Sequence, residues 1–391
     1  MNKPPLSGEF QCHVCGTGRL ELIREYSTLR RVTSDCQPWK RNGLLGLCFD
    51  CRFAQVPVTE EWVSETEEIY RQYLIYAQAD GVEQPVFDLA SGQAVSRSER
   101  LMEELGATLQ LSSQGRMLDV GCGNGAFLRA FSRRYPDWKL NGTETTERYK
   151  KEVEALQGVE AVYVGSHPPG GFQFVSMVHV LEHIPNPLRF LREVWNLLDD
   201  NGLLLVQIPN FRTNPFDLMI ADHCSHFSLR DISRLVREVG LQIVAAGTWI
   251  AKEISLVARK VAGRAENWPK DSETTQDSLQ IRVDWLRALV RQTEGLAVDF
   301  GVFGSSIGAS WLFAQCENRV RFFIDEDISR IGKMHLGRPV LSPAAAPKGV
   351  PIVLPISPEV SKGILLRFAN TDLRIVTPPS FEDSRSSQFV E

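Results

Sequence analysis

The stretch LDVGCGNGAF, Leu118 to Phe127, limits the possible folds of this chain more than any other. Residues 116–120 form a short apolar strand, and glycines at 121, 123 and 125 separate it from an apolar run of helical character. A strand must therefore turn sharply into a helix through a loop bare of side chains at alternate positions, which lets backbone approach a ligand closely. A nucleotide ribose held there needs an acid about 20 residues further on, at the end of the next strand. Glu144, in LNGTETTERY, occupies that place. Gly121, Gly123 and Gly125 are thus candidate cofactor-binding positions and Glu144 the candidate ligand of ribose hydroxyls. The plainer alternative is a tight turn that binds nothing, but strand, loop, helix and spaced acid all agree with a site.

The chain continues in the same alternation. Strands are expected at 161–164, 174–178 and 203–208 with helices between them, and Leu101, Leu105 and Leu109 mark an entry helix over 96–111. That order implies an α/β fold with a central doubly wound, mostly parallel sheet. Composition turns polar between 260 and 280, after which Leu279, Val283, Leu286 and Val290 recur at helical spacing. A strand at 296–303, a glycine loop, a helix and a strand at 320–324 ending at Asp325 then describe a second, smaller Rossmann-like α/β domain. Its loop, GVFGSSIGAS, either offers backbone N–H groups to a phosphate or makes a turn that binds nothing. The polar tail from Pro378 is expected to be loose.

Cys12 and Cys15 form one CxxC knuckle and Cys48 and Cys51 a second. The opening MNKPPLSGEF has no apolar signal core and no apolar run suits a bilayer, so a cytoplasmic protein is expected and its eight cysteines are not read as disulfides. Four soft thiolates at paired spacing suit a tetrahedral zinc ion, with no open position left for chemistry, so the metal is expected to be structural. Packed, reduced thiols are the alternative, and Cys36, inside the intervening lobe, is a possible substitute ligand. The expected layout is a zinc-binding module without long helices at 1–76, a helical linker at 77–112, the cofactor domain at 113–258, a linker and helix at 259–295 and the Rossmann-like domain at 296–391. With 43 basic against 48 acidic residues and a formal net charge of -5, nothing attracts nucleic acid or an anionic membrane in general.

LDVGCGNGAFLRAF followed by GTE resembles the first two motifs of class I S-adenosylmethionine (SAM)-dependent methyltransferases. The resemblance implies SAM as cofactor and gives Asp119, the acid before the first glycine, a part in orienting the loop and the methionine end of the cofactor. FQFVSMVHVLEHIPNPLRFLREVWNLLDDNGLLLVQIPN, from Phe172, resembles the fourth strand through the fifth strand of the same family. His183 follows Glu182 at the carboxyl end of a strand, where it either lines the substrate pocket or fastens the loop. An Asn/Asp-Pro-Pro-aromatic motif, used in methylating amino nitrogens, does not occur at this position.

The order of a double-CxxC module, a methyltransferase domain and a Rossmann-like domain resembles the bacterial sugar C-methyltransferases. That family deprotonates a nucleotide-linked keto-sugar beside its ketone, and the enolate carbon takes the methyl group. A family segment resembling YxEHxxYFS corresponds here to IADHCSHFS, Ile220 to Ser228. His223 falls on the family's base, Asp222 replaces the usual Glu, His226 stands where an aromatic is common, and Ile220 occupies the tyrosine position. The expected activity is methylation of a nucleotide-linked sugar, with carbon slightly preferred over oxygen, since His223 can equally deprotonate a hydroxyl. The Rossmann-like domain is expected to help hold the sugar nucleotide. Two other readings stay open: an RNA methyltransferase whose zinc module grips nucleic acid, and a noncatalytic protein retaining the SAM fold.

Overall fold

The computed structural model describes residues 10–16, 18–73, 83, 85–87, 94–166, 168–261 and 275–382. In chain order the amino-terminal elements are β1 (Leu20–Leu22), β2 (Arg30–Val32), β3 (Pro38–Asn42), β4 (Gly46–Cys48), β5 (Ala54–Gln55) and α1 (Glu60–Gln72). Next come β6 (Pro85–Phe87), β7 (Ala94–Ser96), α2 (Arg97–Thr108), β8 (Arg116–Val120), α3 (Ala126–Arg134), β9 (Lys139–Glu144), α4 (Lys150–Glu154), β10 (Val159–Val164), β11 (Phe172–Val178), α5 (Pro187–Leu197) and β12 (Leu198–Pro209). After them follow β13 (Ser225–His226), α6 (Leu229–Glu238), β14 (Leu241–Gly247) and β15 (Glu253–Lys260). The chain ends through α7 (Thr275–Glu294), β16 (Phe300–Phe303), α8 (Ile307–Cys316), β17 (Val320–Ile324), β18 (Met334–His335), β19 (Arg338–Leu341), β20 (Pro351–Val353), α9 (Pro358–Phe368) and β21 (Arg374–Val376).

These elements form two compact units. One comprises Gly81–Asn210 and Phe227–Ser272; the other comprises Met1–Asp80, Phe211–His226 and Glu273–Glu391. The units therefore do not follow consecutive blocks of sequence.

The first unit is built on a seven-stranded sheet in the order β10-β9-β8-β11-β12-β15-β14. β10, β9, β8, β11 and β12 run parallel, and β15 runs antiparallel to both of its neighbours. Strand order reverses between β8 and β11, so the loops leaving those two strands open onto the crevice where doubly wound sheets hold ligands. Local chemistry sets the helix starts: Ser96 caps α2 at the Glu99 N–H, Asn186 caps α5 just before Pro187, and Ser228 and Asp231 form a capping box at α6. Phe131 of α3 sits at the centre of the core, with ring centroids of Tyr135, Trp138 and Phe174 at 5.0, 5.3 and 5.5 Å.

The second unit contains a six-stranded sheet, β18-β19-β17-β16-β20-β21, which is parallel except for β18. It also contains a four-stranded antiparallel sheet, β1-β4-β5-β13, in which the last strand comes from the segment Phe211–His226. One buried cluster joins the three stretches of the unit: Tyr26, Leu29 and Val32 from the cysteine-rich stretch, Phe216, Leu218 and Met219 from the middle segment, and Trp285, Trp311 and Phe323 from the carboxyl-terminal part. So short a cysteine-rich stretch has little interior of its own, and it shares a larger one.

Two expectations need correction here. The amino-terminal stretch does hold a long helix, α1, whose start is signalled by Thr59 accepting from the Trp62 N–H and by Glu60 and Glu61 in the first turn. The chain beyond Pro378 is not loose at its beginning: the Pro379 carbonyl accepts from Trp285 Nε1 at 2.7 Å, and the Phe381 ring lies 5.6 Å from that indole. Parts of the expected linkers at 77–112 and 259–295, and the last residues of the tail, lie outside the described residues.

Candidate active site

β8 ends at Val120 and the chain turns through Gly121, Gly123 and Gly125 with φ of 68°, 54° and 78°, all left-handed. A Cβ on Gly121 would meet Val180 Cγ2 at 2.7 Å, and one on Gly125 would meet Leu156 Cδ1 at 2.7 Å, so glycine is required on both steric and conformational grounds. The acid at the end of β9 joins this loop directly. Glu144 Oε1 accepts from the Gly123 N–H at 2.8 Å, and Oε2 accepts from the Thr145 N–H at 2.7 Å and from Thr145 Oγ1 at 3.4 Å, which fixes the carboxylate plane. Asp119 is 3% exposed and accepts from Ser176 Oγ, its register partner on β11, at 2.6 Å. Burial is the main reason its pKa is pushed up to about 7. Among the described residues Asp119 binds across the sheet to Ser176 rather than to the loop amides.

At the neighbouring strand end, His179 adopts a left-handed φ of 55°, uncommon without a glycine. Its Nδ1 lies 3.1 Å from Glu182 Oε1 and its Nε2 3.2 Å from Glu253 Oε2. Glu253 also takes Arg97 Nη2 at 3.1 Å and Gln207 Nε2 at 2.5 Å, and Ser255 Oγ donates to Gln207 Oε1 at 2.5 Å. Burial opposes the charge on His179, yet Glu253 foremost lifts its pKa to about 9. Burial likewise opposes the Glu253 anion, but Arg97 and then His179 hold it down at about 2. The sequence points to Glu182 and His183 but not to this network, because Glu253 comes from β15 and its own partners Gln207 and Arg97 from β12 and the start of α2. His183 closes the 3-10 turn Leu181–His183, half-buried, with its N–H on the Val180 carbonyl at 3.0 Å.

His223 and Asp222 belong to the other compact unit, in the segment Phe211–His226. Pro215 opens a 3-10 turn, Pro215–Met219, and successive bonds from Ile220 N–H to the Asp217 carbonyl and from His223 N–H to the Ile220 carbonyl, each 3.2 Å, curl the chain back on itself. Asp217, 1% exposed, then meets both histidines: Oδ1 lies 2.7 Å from His223 Nδ1 and Oδ2 2.8 Å from His226 Nδ1. Burial alone would raise the Asp217 pKa, but attraction to His226 and the bonds from both rings hold it well below the usual carboxylate range. Asp222 is turned to a different task, accepting from the Ser34 N–H at 2.9 Å and from Ser34 Oγ at 2.5 Å. The carboxylate serving His223 was therefore missed in the sequence, and Ile220 is buried at 5% exposure in a bridge to Val32.

Cys12, Cys15, Cys48 and Cys51 bring their sulfurs within 4.8 Å of one another. Cys12 and Cys51 are 3.6 Å apart and Cys15 and Cys48 3.7 Å, close to the ~3.8 Å that a tetrahedral ion with Zn–S bonds of about 2.3 Å imposes. Backbone N–H groups of Val14, Cys15, Gly18 and Cys51 donate to these sulfurs, which suits thiolates. A Cβ on Gly18 would fall 2.3 Å from Cys48 Sγ. The site fits a structural zinc ion, and Cys36, buried at a left-handed φ of 68°, lies outside the quartet.

In the six-stranded sheet, the loop after β16 turns at Gly304, φ 83°. Asp325 directly follows β17, but its Oδ2 already accepts from Ser305 Oγ of that loop at 2.5 Å, and Arg330 Nη1 lies 3.1 Å from the same hydroxyl.

Residues 94–246 match the family model described as a methyltransferase domain. Trans-aconitate 2-methyltransferase of Rhodopseudomonas palustris (strain BisB18) is 28% identical over 127 residues, 32% of this chain and 50% of that protein. Ubiquinone biosynthesis O-methyltransferase of Xanthomonas campestris pv. campestris (strain B100) is 28% identical over 118 residues, 27% of this chain and 47% of that protein. The chain spans about half the length of these two relatives. C-methyltransferase NovU of Streptomyces niveus is 24% identical over 298 residues, 67% of this chain and 70% of that protein. Among the described residues no helix is long and apolar enough to cross a membrane.

Proposed function

We propose that this chain, whose residues 94–246 make up a SAM-dependent methyltransferase domain, methylates a sugar carried on a nucleotide diphosphate, at carbon in preference to oxygen. In this reading residues 1–76 serve as a zinc module, 113–258 bind the cofactor and 296–391 help hold the nucleotide. Gly121, Gly123 and Gly125 bring bare backbone to SAM, Glu144 takes its ribose hydroxyls, and Asp119 stiffens the strand end beneath them. When bound, SAM supplies an electrophilic methyl group on a positively charged sulfur.

The observation that carries the acceptor chemistry is the 2.7 Å contact between Asp217 Oδ1 and His223 Nδ1. A ring whose Nδ1–H donates a hydrogen bond to a buried carboxylate keeps Nε2 as its basic nitrogen and is stabilised once protonated, as a general base requires. His223 is proposed to remove the proton beside the sugar ketone and hold it on Nε2, leaving a carbon nucleophile that takes the methyl group of bound SAM, the sulfur keeping the electron pair of the broken bond. His183 is proposed to line the acceptor pocket, and Asp222 to act through the loop it holds. The name of the relative that matches 67% of this chain supports carbon as the acceptor. The relative named as an O-methyltransferase supports a second outcome, in which His223 deprotonates a sugar hydroxyl.

A panel of nucleotide-linked keto-sugars and reduced sugars, incubated with protein and methyl-labelled SAM and read by mass spectrometry and NMR, tests the proposal. A methylated keto-sugar with a new C–C bond is expected. Label on none of the panel overturns the sugar reading, and label on oxygen alone overturns the carbon preference.

A further inference from the structure

The thiolate quartet and the Asp217 histidine pair lie in one compact unit and are joined by a short chain of buried contacts. Gln55, fully buried, uses both ends of its amide on the first knuckle: Nε2 donates to Cys12 Sγ at 3.0 Å, and Oε1 accepts from the His13 N–H at 2.9 Å. Its strand β5 pairs with β13, with Ser225 opposite Gln55 and His226 opposite Ala54. A second link runs alongside, since His13 Nε2 lies 3.0 Å from Ser225 Oγ, and the Val56 N–H donates to the Cys224 carbonyl at 3.0 Å. His226 then passes the connection to Asp217 Oδ2 at 2.8 Å, whose other oxygen holds His223.

Each end of this chain needs the other. β13 is a strand of two residues, too short to hold its place by ladder bonds alone. The Gln55 amide is oriented by a sulfur acceptor whose position in turn depends on the metal. We infer that Gln55 is a positioning residue that couples zinc occupancy of the cysteine quartet to the placement of His226, Asp217 and His223. The metal then supports the base in addition to the fold of its own knuckles. The inference rests on the zinc and His223 assignments proposed above, but its readout requires no acceptor.

The test uses the full chain with histidines labelled at the ring nitrogens and followed by NMR, with His335 of the carboxyl-terminal sheet as internal control. Zinc removal by a chelator is expected to move the His223 and His226 signals while His335 stays, and added zinc to restore them. Gln55→Ala and Ser225→Ala, each loaded with zinc to one ion per chain, are expected to move the same two signals. Gln55→Ala is also expected to weaken zinc about tenfold or more in chelator competition, the usual size for an outer-shell partner. Unmoved His223 and His226 signals in both zinc-loaded variants overturn the coupling, even if the apo chain unfolds. Failure of every sugar acceptor would sink the proposed function and leave these ring signals as they are.

Discussion

His223 Nδ1 meets a carboxylate from six positions before it, that of Asp217. The distance from Asp217 Oδ1 to His223 Nδ1 is 2.7 Å, while Asp222 closes on Ser34. Two aspartates of one short segment thus do different work: one holds the imidazole and the other pins a loop. Asp217→Asn is expected to lower kcat about 100-fold with little change in the KM for SAM, the usual size of a general-base contribution. Asp222→Asn should lower the melting temperature and cost much less in turnover. Steady-state kinetics beside thermal melts would separate them, and equal kcat losses would show that the two acids share one role.

Glu144 is gripped by the Gly123 and Thr145 amides, so its loss is expected to loosen the loop as well as to remove the proposed ligand of the cofactor's ribose. Hydrogen bonds to a charged group contribute about 1.5–3 kcal/mol each, so Glu144→Ala should raise the Kd for SAM by at least about tenfold. Titration calorimetry measures this, and an unchanged Kd removes Glu144 from the cofactor site.

His179 gives a stability signature with a definite sign. Its pKa is raised from 6.5 to about 9, so its stabilising contribution is complete below pH 6.5 and fades as pH rises to 9. The stability advantage of the native chain over His179→Gln should therefore shrink across that window in denaturant titrations. Glu253 behaves oppositely: its pKa is lowered from 4.5 to about 2, and its contribution is lost as pH falls between those values. A pH-independent gap for His179→Gln would mean that the ring is not held as a cation.

Two glycines of the first knuckle should respond differently to alanine. Gly18→Ala puts a methyl 2.3 Å from Cys48 Sγ and should reduce zinc retention in chelator competition. Gly16, at φ 74° with open space around it, should cost only about 1–2 kcal/mol of backbone strain and keep its metal. Equal zinc loss in both variants would show that crowding at the sulfur is not what matters.

Features governed by local spacing were legible in the sequence. The turn through Gly121 and Gly125, the acid at Glu144, the paired cysteines and the strands β8 to β12, β16 and β17 follow from residue type and interval, whereas β14, β15 and β18 to β21 were not legible there. Asp217 was not legible, because its approach to His223 depends on two tight turns in succession, and neither has a sequence periodicity. Gln55 was missed for a similar reason: its importance comes from a strand pairing with Ser225, far along the chain. The start of helix α1 is marked by Thr59 and the two glutamates after it, a signal the cysteine spacing around it overshadows. The packing of Phe381 on Trp285 could not be foreseen, since a lone aromatic in a polar tail carries no pattern.

The alternation of segments between the two compact units has a hereditary consequence. One unit is assembled from three stretches and the other from two, so the chain passes between them four times. Cutting the gene at one point cannot transplant either unit whole. Removing the amino-terminal stretch would strip Tyr26, Leu29 and Val32 from the cluster that also buries Trp311. A recombination event that imported a new cysteine-rich stretch would have to bring a matching middle segment and carboxyl-terminal portion with it. These three pieces are therefore expected to descend together.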